Sequence, residues 1–150
     1  MKKPYFGRLL TAMVTPFNAD GSINYEAGAD FADWLLANGS DGLVVEGSTG
    51  EAATMDMDEK IKFMQTIVAR VNGRAKIVAG AGTNCTASTI ELVKKMEACG
   101  VDGVLVVGPY YNKPTQEGYY QHFAAVAKAT KLPIIVYNVP GRTGGNIAQL

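Results

Sequence analysis

Two cysteines and one histidine in 150 residues leave almost nothing from which to build a metal site, and neither sign of charge is in excess. Fourteen basic residues balance fourteen acidic ones. Such a chain carries no long-range field that would gather nucleic acid, an anionic membrane surface or a polyanionic substrate. Also lacking is any run near the roughly 20 apolar residues that a spanning helix needs. Met1-Lys2-Lys3-Pro4-Tyr5 is not followed by the apolar stretch of a signal peptide, so a cytoplasmic address is expected, with no membrane and no nucleic-acid partner. Cys85 and Cys99 form no CxxC pair and flank one helical segment. The expectation is a pair of buried, unpaired thiols and no metal cofactor. No Pro/Gly/Ser tract or charge block breaks the chain, which implies one domain over residues 1–150.

What is present is a repeating apolar pattern. At 47% apolar and 19% charged residues, the chain has the composition of a globular core. Short runs rich in Val and Ile recur at Leu9 to Val14, Gly42 to Val45, Ile77 to Gly80, Gly103 to Val107 and Ile134 to Val136. They lack polar alternation, the mark of parallel strands buried on both faces. Segments with helical periodicity lie between them. Phe31, Trp34 and Leu35 precede a stop at Gly39, and Ile61, Met64, Ile67 and Val68 precede one at Gly73. Asp56 and Glu59 have capping-box spacing, and Thr115 stands where an N-cap would precede the helix of Tyr119, Phe123 and Val126. The reading is an α/β chain of form βαβαβαβαβ. That pattern fits both a five-stranded doubly wound sheet and part of an eight-stranded barrel.

In either architecture, sites form where the parallel strands end, so the residues after each run are the informative ones. They are Thr15-Pro16; Glu46-Gly47-Ser48-Thr49-Gly50-Glu51; Gly80-Ala81-Gly82-Thr83-Asn84; Gly108-Pro109-Tyr110-Tyr111-Asn112; and Tyr137 through Gly144. Hydroxyls, glycines and Arg142 gather at one end, which points to a small-molecule pocket. Gly47-Ser48-Thr49-Gly50 is either a cradle for a carboxylate or phosphate, or an ordinary strand-to-helix turn. It is no Walker A loop, and Gly80-Ala81-Gly82 lacks the third Rossmann glycine, which disfavours nucleotide binding. Tyr137 is either a core tyrosine or a proton relay, and Arg142 either a surface residue or a bidentate grip on a carboxylate. His122 reads as a partly exposed helix residue away from the strand ends.

Taken together, Ala12-Met13-Val14-Thr15-Pro16-Phe17, Gly47-Ser48-Thr49-Gly50-Glu51, Pro109-Tyr110-Tyr111-Asn112-Lys113-Pro114 with Gln116-Glu117-Gly118, and Tyr137-Asn138-Val139-Pro140-Gly141-Arg142-Thr143 resemble the dihydrodipicolinate synthase family of pyruvate-dependent class I aldolases. The resemblance implies a (β/α)₈ TIM barrel, of which this chain supplies about the first five βα units, ending before the sixth strand. It further implies that pyruvate forms an imine on a lysine and that the enamine attacks aspartate semialdehyde. No other cofactor is implied. Residue by residue, Tyr137, Ser48 and Tyr111 would carry the proton relay. Thr49 and Ser48 would hold the pyruvate carboxylate, and Arg142 the carboxylate of the semialdehyde. The family's tyrosine at Tyr111 reaches a neighbouring subunit, implying a homotetramer built as a dimer of dimers.

Three departures from the family pattern stand out. Ser48 replaces the usual threonine, as in N-acetylneuraminate lyase. Met57, Lys60 and Ser88 occupy positions where lysine-inhibited relatives carry histidine and acidic side chains, so feedback by lysine is expected to be weak. No lysine in residues 1–150 suits the imine, since Lys76 and Lys131 lie at strand starts and Lys113 in a polar loop. The chain alone is therefore expected to be inactive. Rival readings are N-acetylneuraminate lyase or a 2-keto-3-deoxy sugar acid aldolase, and, from a different class, a non-catalytic five-stranded binding module.

Overall fold

The computed structural model describes residues 4–148. In chain order the elements are β1 (Leu10–Ala12), α1 (Tyr25–Ala37), β2 (Gly42–Val45), α2 (Met57–Val71), β3 (Lys76–Gly80), α3 (Thr86–Ala98), β4 (Gly103–Val107), α4 (Gln116–Lys128), β5 (Ile134–Tyr137) and α5 (Pro140–Thr143). A 3₁₀ turn at Ala52–Thr54 separates β2 from α2. The strands form one sheet in the order β1-β2-β3-β4-β5, and every pair is parallel. A doubly wound sheet would reverse direction at a switch point and place β1 inside the sheet. Here β1 is an edge and each strand pairs with its successor, as in the arc of a barrel.

Side-chain alternation then divides the strands between two surfaces. Leu43 and Val45, Ile77 and Ala79, and Val104 and Val106 join the main core with Phe63, Met64, Ile67, Leu92, Val93 and Met96 from α2 and α3. Val44, Val78 and Leu105 lie outside that cluster, on the face that a barrel turns inward. Burial on both faces holds for β2 and most of β3 and β4, but not for the edges. Ala12 is exposed in β1 and Val136 in β5, because neither edge has a strand beyond it in the sheet.

The helices start where the sequence places them. Asp56 Oδ1 accepts from the Glu59 N–H at 2.8 Å and Glu59 Oε2 accepts from the Asp56 N–H at 2.9 Å, completing the capping box of α2. Thr115 caps α4 by accepting from the Gly118 N–H at 3.1 Å. Two expectations, on the cysteines and on His122, need correction. Cys85 is exposed at the N-cap of α3, and only Cys99, at its far end, is partly buried; both are free thiols. His122 is buried between α4 and α3, its Nδ1 2.9 Å from Thr86 Oγ1. The segment after Tyr137 is a single helical turn, α5, with Pro140 at its start, where the fixed proline φ suits a helix.

Gly80 allows the closest backbone approach in the sheet. A Cβ there would stand 1.9 Å from the Glu46 carbonyl oxygen, so β2 and β3 meet at their carboxyl ends only because Gly80 has no side chain. On this basis Gly80→Ala should destabilise the full-length protein by about 3 kcal/mol or prevent folding. Asp56→Ala should cost about 1 kcal/mol. Urea midpoints for the two variants check both values, and equal shifts would refute the packing argument for Gly80.

Candidate active site

Residues from β3, β4 and β5, from the segments that follow β2 to β5, and from α2 (Lys60) and α3 (Leu92) line a cavity of about 320 Å³. Its walls include Glu46, Gly47, Ser48, Lys60, Thr83, Leu105, Val107, Tyr110, Tyr137, Val139 and Arg142. The volume suits a ligand of a few heavy atoms or two such molecules side by side. Of the residues singled out from the sequence, Ser48, Tyr137 and Arg142 line this space. Thr49 and Tyr111 do not line it and are exposed, Tyr111 to 88%.

Local structure explains the placement of the loop after β2. Glu51 N–H donates to the Ser48 carbonyl at 3.3 Å, and Gly50 and Ala52 N–H both point at the Gly47 carbonyl. The loop is therefore a tight turn whose own carbonyls take up three of its N–H groups. Thr15 Oγ1, buried at the end of the first strand, donates to the Gly50 carbonyl at 2.7 Å and pins the turn against the sheet. Of the two alternatives posed from the sequence, the structure shows the strand-to-helix turn, and that turn presents Ser48 to the cavity.

Arg142 is held by a second network. Thr143, buried, donates through Oγ1 to the Gly145 carbonyl at 2.8 Å, and Arg142 N–H donates to the Val139 carbonyl at 2.9 Å. Farther along, Gln116 of α4 donates to the Asn146 carbonyl at 2.8 Å and accepts from the Ala148 N–H at 2.9 Å. Asn138 accepts from the Ile147 N–H at 3.1 Å. Gln116 thus steadies the segment that follows α5, the turn that carries the arginine.

Sequence reasoning gave no special role to Glu46. Its residue type, an acid directly after the all-apolar run Gly42–Val45, was the available signal. The side chain is 2% exposed, its backbone is left-handed at φ 57°, and neither carboxyl oxygen has a hydrogen-bond partner among the described residues. Burial pushes its carboxyl up to about 8, against the opposing pull of the Lys60 cation. Lys76, by contrast, is paired with Asp102 at the amino end of β3, and the Asp102 carboxylate raises the Lys76 ammonium pKa. That keeps Lys76 protonated and remote from the cavity, as expected. Among the described residues no group of three His, Cys, Asp or Glu side chains comes together to hold a metal, and no helix is long and apolar enough to cross a membrane.

A family model described as the dihydrodipicolinate synthetase family matches residues 5–149. The 4-hydroxy-tetrahydrodipicolinate synthase of Heliobacterium modesticaldum is 59% identical over 142 residues, which covers 95% of this chain and 47% of the relative. The crystal structure of the Cyanidioschyzon merolae synthase with lysine bound superposes with a TM-score of 0.94 at 44% identity, over 97% of this chain and 50% of that one. The chloride-inhibited Acinetobacter baumannii synthase complexed with pyruvate gives 0.92, also at 44% identity, over 93% and 48%. This chain spans about half the length of the curated relatives it matches. The five βα units are accordingly an N-terminal arc of a TIM barrel, and the doubly wound alternative is excluded by strand order as well. The chain belongs to the dihydrodipicolinate synthetase family.

Proposed function

We propose that the protein to which this chain contributes condenses pyruvate with L-aspartate 4-semialdehyde through a lysine imine, giving 4-hydroxy-tetrahydrodipicolinate. The observation that carries this reading is the convergence of Ser48, Tyr137 and Arg142 on one cavity at the carboxyl end of the sheet, in a chain 59% identical to a named synthase. The named relatives favour the synthase over neuraminate lyase or a sugar acid aldolase. Lysine production and a cytoplasmic location follow from the same reading.

The chemistry requires a neutral amine, a proton relay and two carboxylate grips. Attack of the amine on the pyruvate ketone expels water and leaves an iminium, which acidifies the adjacent methyl group; loss of a proton gives the enamine that attacks the aldehyde. The lysine is assigned outside residues 1–150. Tyr137, at the last position of β5, is placed to exchange protons with the reacting carbon and nitrogen, with Ser48 passing them onward. Arg142 offers a forked pair of N–H donors to the semialdehyde carboxylate.

Thr49 is assigned the pyruvate carboxylate, through its hydroxyl and the turn's backbone. Tyr111 is assigned to the site of a neighbouring subunit in a homotetramer. Its 88% exposure and left-handed backbone at φ 69° fit a side chain held out for a partner. The 150-residue chain alone has no turnover on this reading.

Steady-state kinetics of the full-length protein test these assignments. Arg142→Ala should raise KM for the semialdehyde at least about tenfold while leaving KM for pyruvate nearly unchanged. Equal effects on both substrates would return the site to a sugar aldolase. Tyr137→Phe should lower kcat by about 10²-fold or more; a wild-type kcat in that variant would remove the relay. Millimolar lysine should leave activity largely intact, because Met57, Lys60 and Ser88 supply no carboxylate for its ammonium groups; a dose-dependent loss would overturn that expectation.

A further inference from the structure

Tyr119, in the first turn of α4, is 2% exposed, and its hydroxyl has no hydrogen-bond partner among the described residues. Burying a phenol in that way is unfavourable and a phenylalanine would avoid the cost, so the oxygen must serve some other end. What it touches supplies one. A Cβ at Gly145 would stand 2.2 Å from the hydroxyl oxygen, whereas the next ring atom, Cζ, would be 3.4 Å away, an ordinary contact. Gly145 has no left-handed backbone, so it is the hydroxyl that demands glycine there. The opposite edge of the ring meets Gly108, directly after β4, where a Cβ would lie 3.1 Å from Cε1. The ring is thus wedged between the carboxyl end of β4 and the segment after α5.

Gly145 is in turn tied to the cavity. Its carbonyl accepts from Thr143 Oγ1 at 2.8 Å, and Thr143, buried and lining the cavity, follows Arg142 directly. Gln116, on the same turn of α4 as Tyr119, holds Asn146 and Ala148 just beyond. We propose that Tyr119 is a positioning residue for Arg142: its hydroxyl is a steric stop against Gly145 that sets, through Thr143, where Arg142 stands at the cavity wall. A stop acts by contact, which is why an unpartnered oxygen suffices. The inference rests on the aldolase reading and deepens it, since Arg142 there takes the semialdehyde carboxylate. Ser48 reaches the cavity from the turn after β2 and Tyr137 from β5, so a shift at Gly145 disturbs the semialdehyde and spares pyruvate.

Steady-state kinetics of full-length proteins, with each substrate varied, test this in the wild type, Gly145→Ala, Tyr119→Phe and the double variant. Gly145→Ala pushes the segment away from the hydroxyl and should raise KM for the semialdehyde about tenfold, with kcat and KM for pyruvate within about twofold of wild type. In the double variant the new methyl meets Cζ at van der Waals distance, so KM for the semialdehyde should return to within about twofold of wild type. Tyr119→Phe alone should raise that KM about threefold, and it keeps the proposal testable if Gly145→Ala does not fold. In an Arg142→Ala background Gly145→Ala should have no further effect, a dependence that general loosening of the fold would not show. Additive losses in the double variant, parallel changes in both KM values, an unaltered semialdehyde KM in the single variants, or an undiminished effect of Gly145→Ala without Arg142 would overturn the proposal and leave the aldolase reading standing. No turnover in the wild type would remove both.

Discussion

Parallel pairing of each strand with its immediate successor is the constraint from which the site follows. With β1 next to β2 and so on to β5, every connection crosses the same face, and all five strands end at the same rim. The helices then cover one side of the sheet with a continuous apolar core around Phe63, Met64, Ile67 and Val93, and the cavity opens at the rim where the strands end. Any single reversal of strand order would scatter Ser48, Tyr137 and Arg142 to different edges. The closeness of β2 and β3 at Gly80 tightens this rim and fixes the backbone of Glu46 directly before the Gly47-Ser48-Thr49-Gly50 turn.

Electrostatics divides the two ends of the sheet. At the strand starts, charges are paired: Lys76 with Asp102, and Arg70 of α2 and Arg74 beyond its end with Asp33 of α1. At the strand ends, Lys60, Arg142 and the buried Glu46 share one cavity without an ion pair between them among the described residues. Paired charge at one end suits stability, and unpaired charge at the other suits recognition of a ligand.

Much of this arrangement was legible in the sequence. Runs of Val and Ile without polar alternation marked the strands, and Asp56 with Glu59 and Thr115 marked helix starts, because these signals are local. Strand order is not local, which is why periodicity could not separate a barrel from a doubly wound sheet; the motifs around Ser48, Tyr111 and Arg142 did so through resemblance. The exposed Cys85 and the buried His122 departed from expectation because each depends on how α3 meets its neighbours. Glu46 escaped notice because its neighbours at Gly80 and Lys60 are distant from it in sequence.

In the function proposed above, this arc of a barrel serves an imine-forming aldolase whose nucleophile lies outside residues 1–150. Borohydride reduction in the presence of pyruvate, followed by peptide mapping of the full-length protein, tests it most directly. The account predicts one stable pyruvate adduct, on a lysine outside residues 1–150. An adduct on Lys60, Lys113 or another lysine within these residues, or no adduct at all, would contradict it.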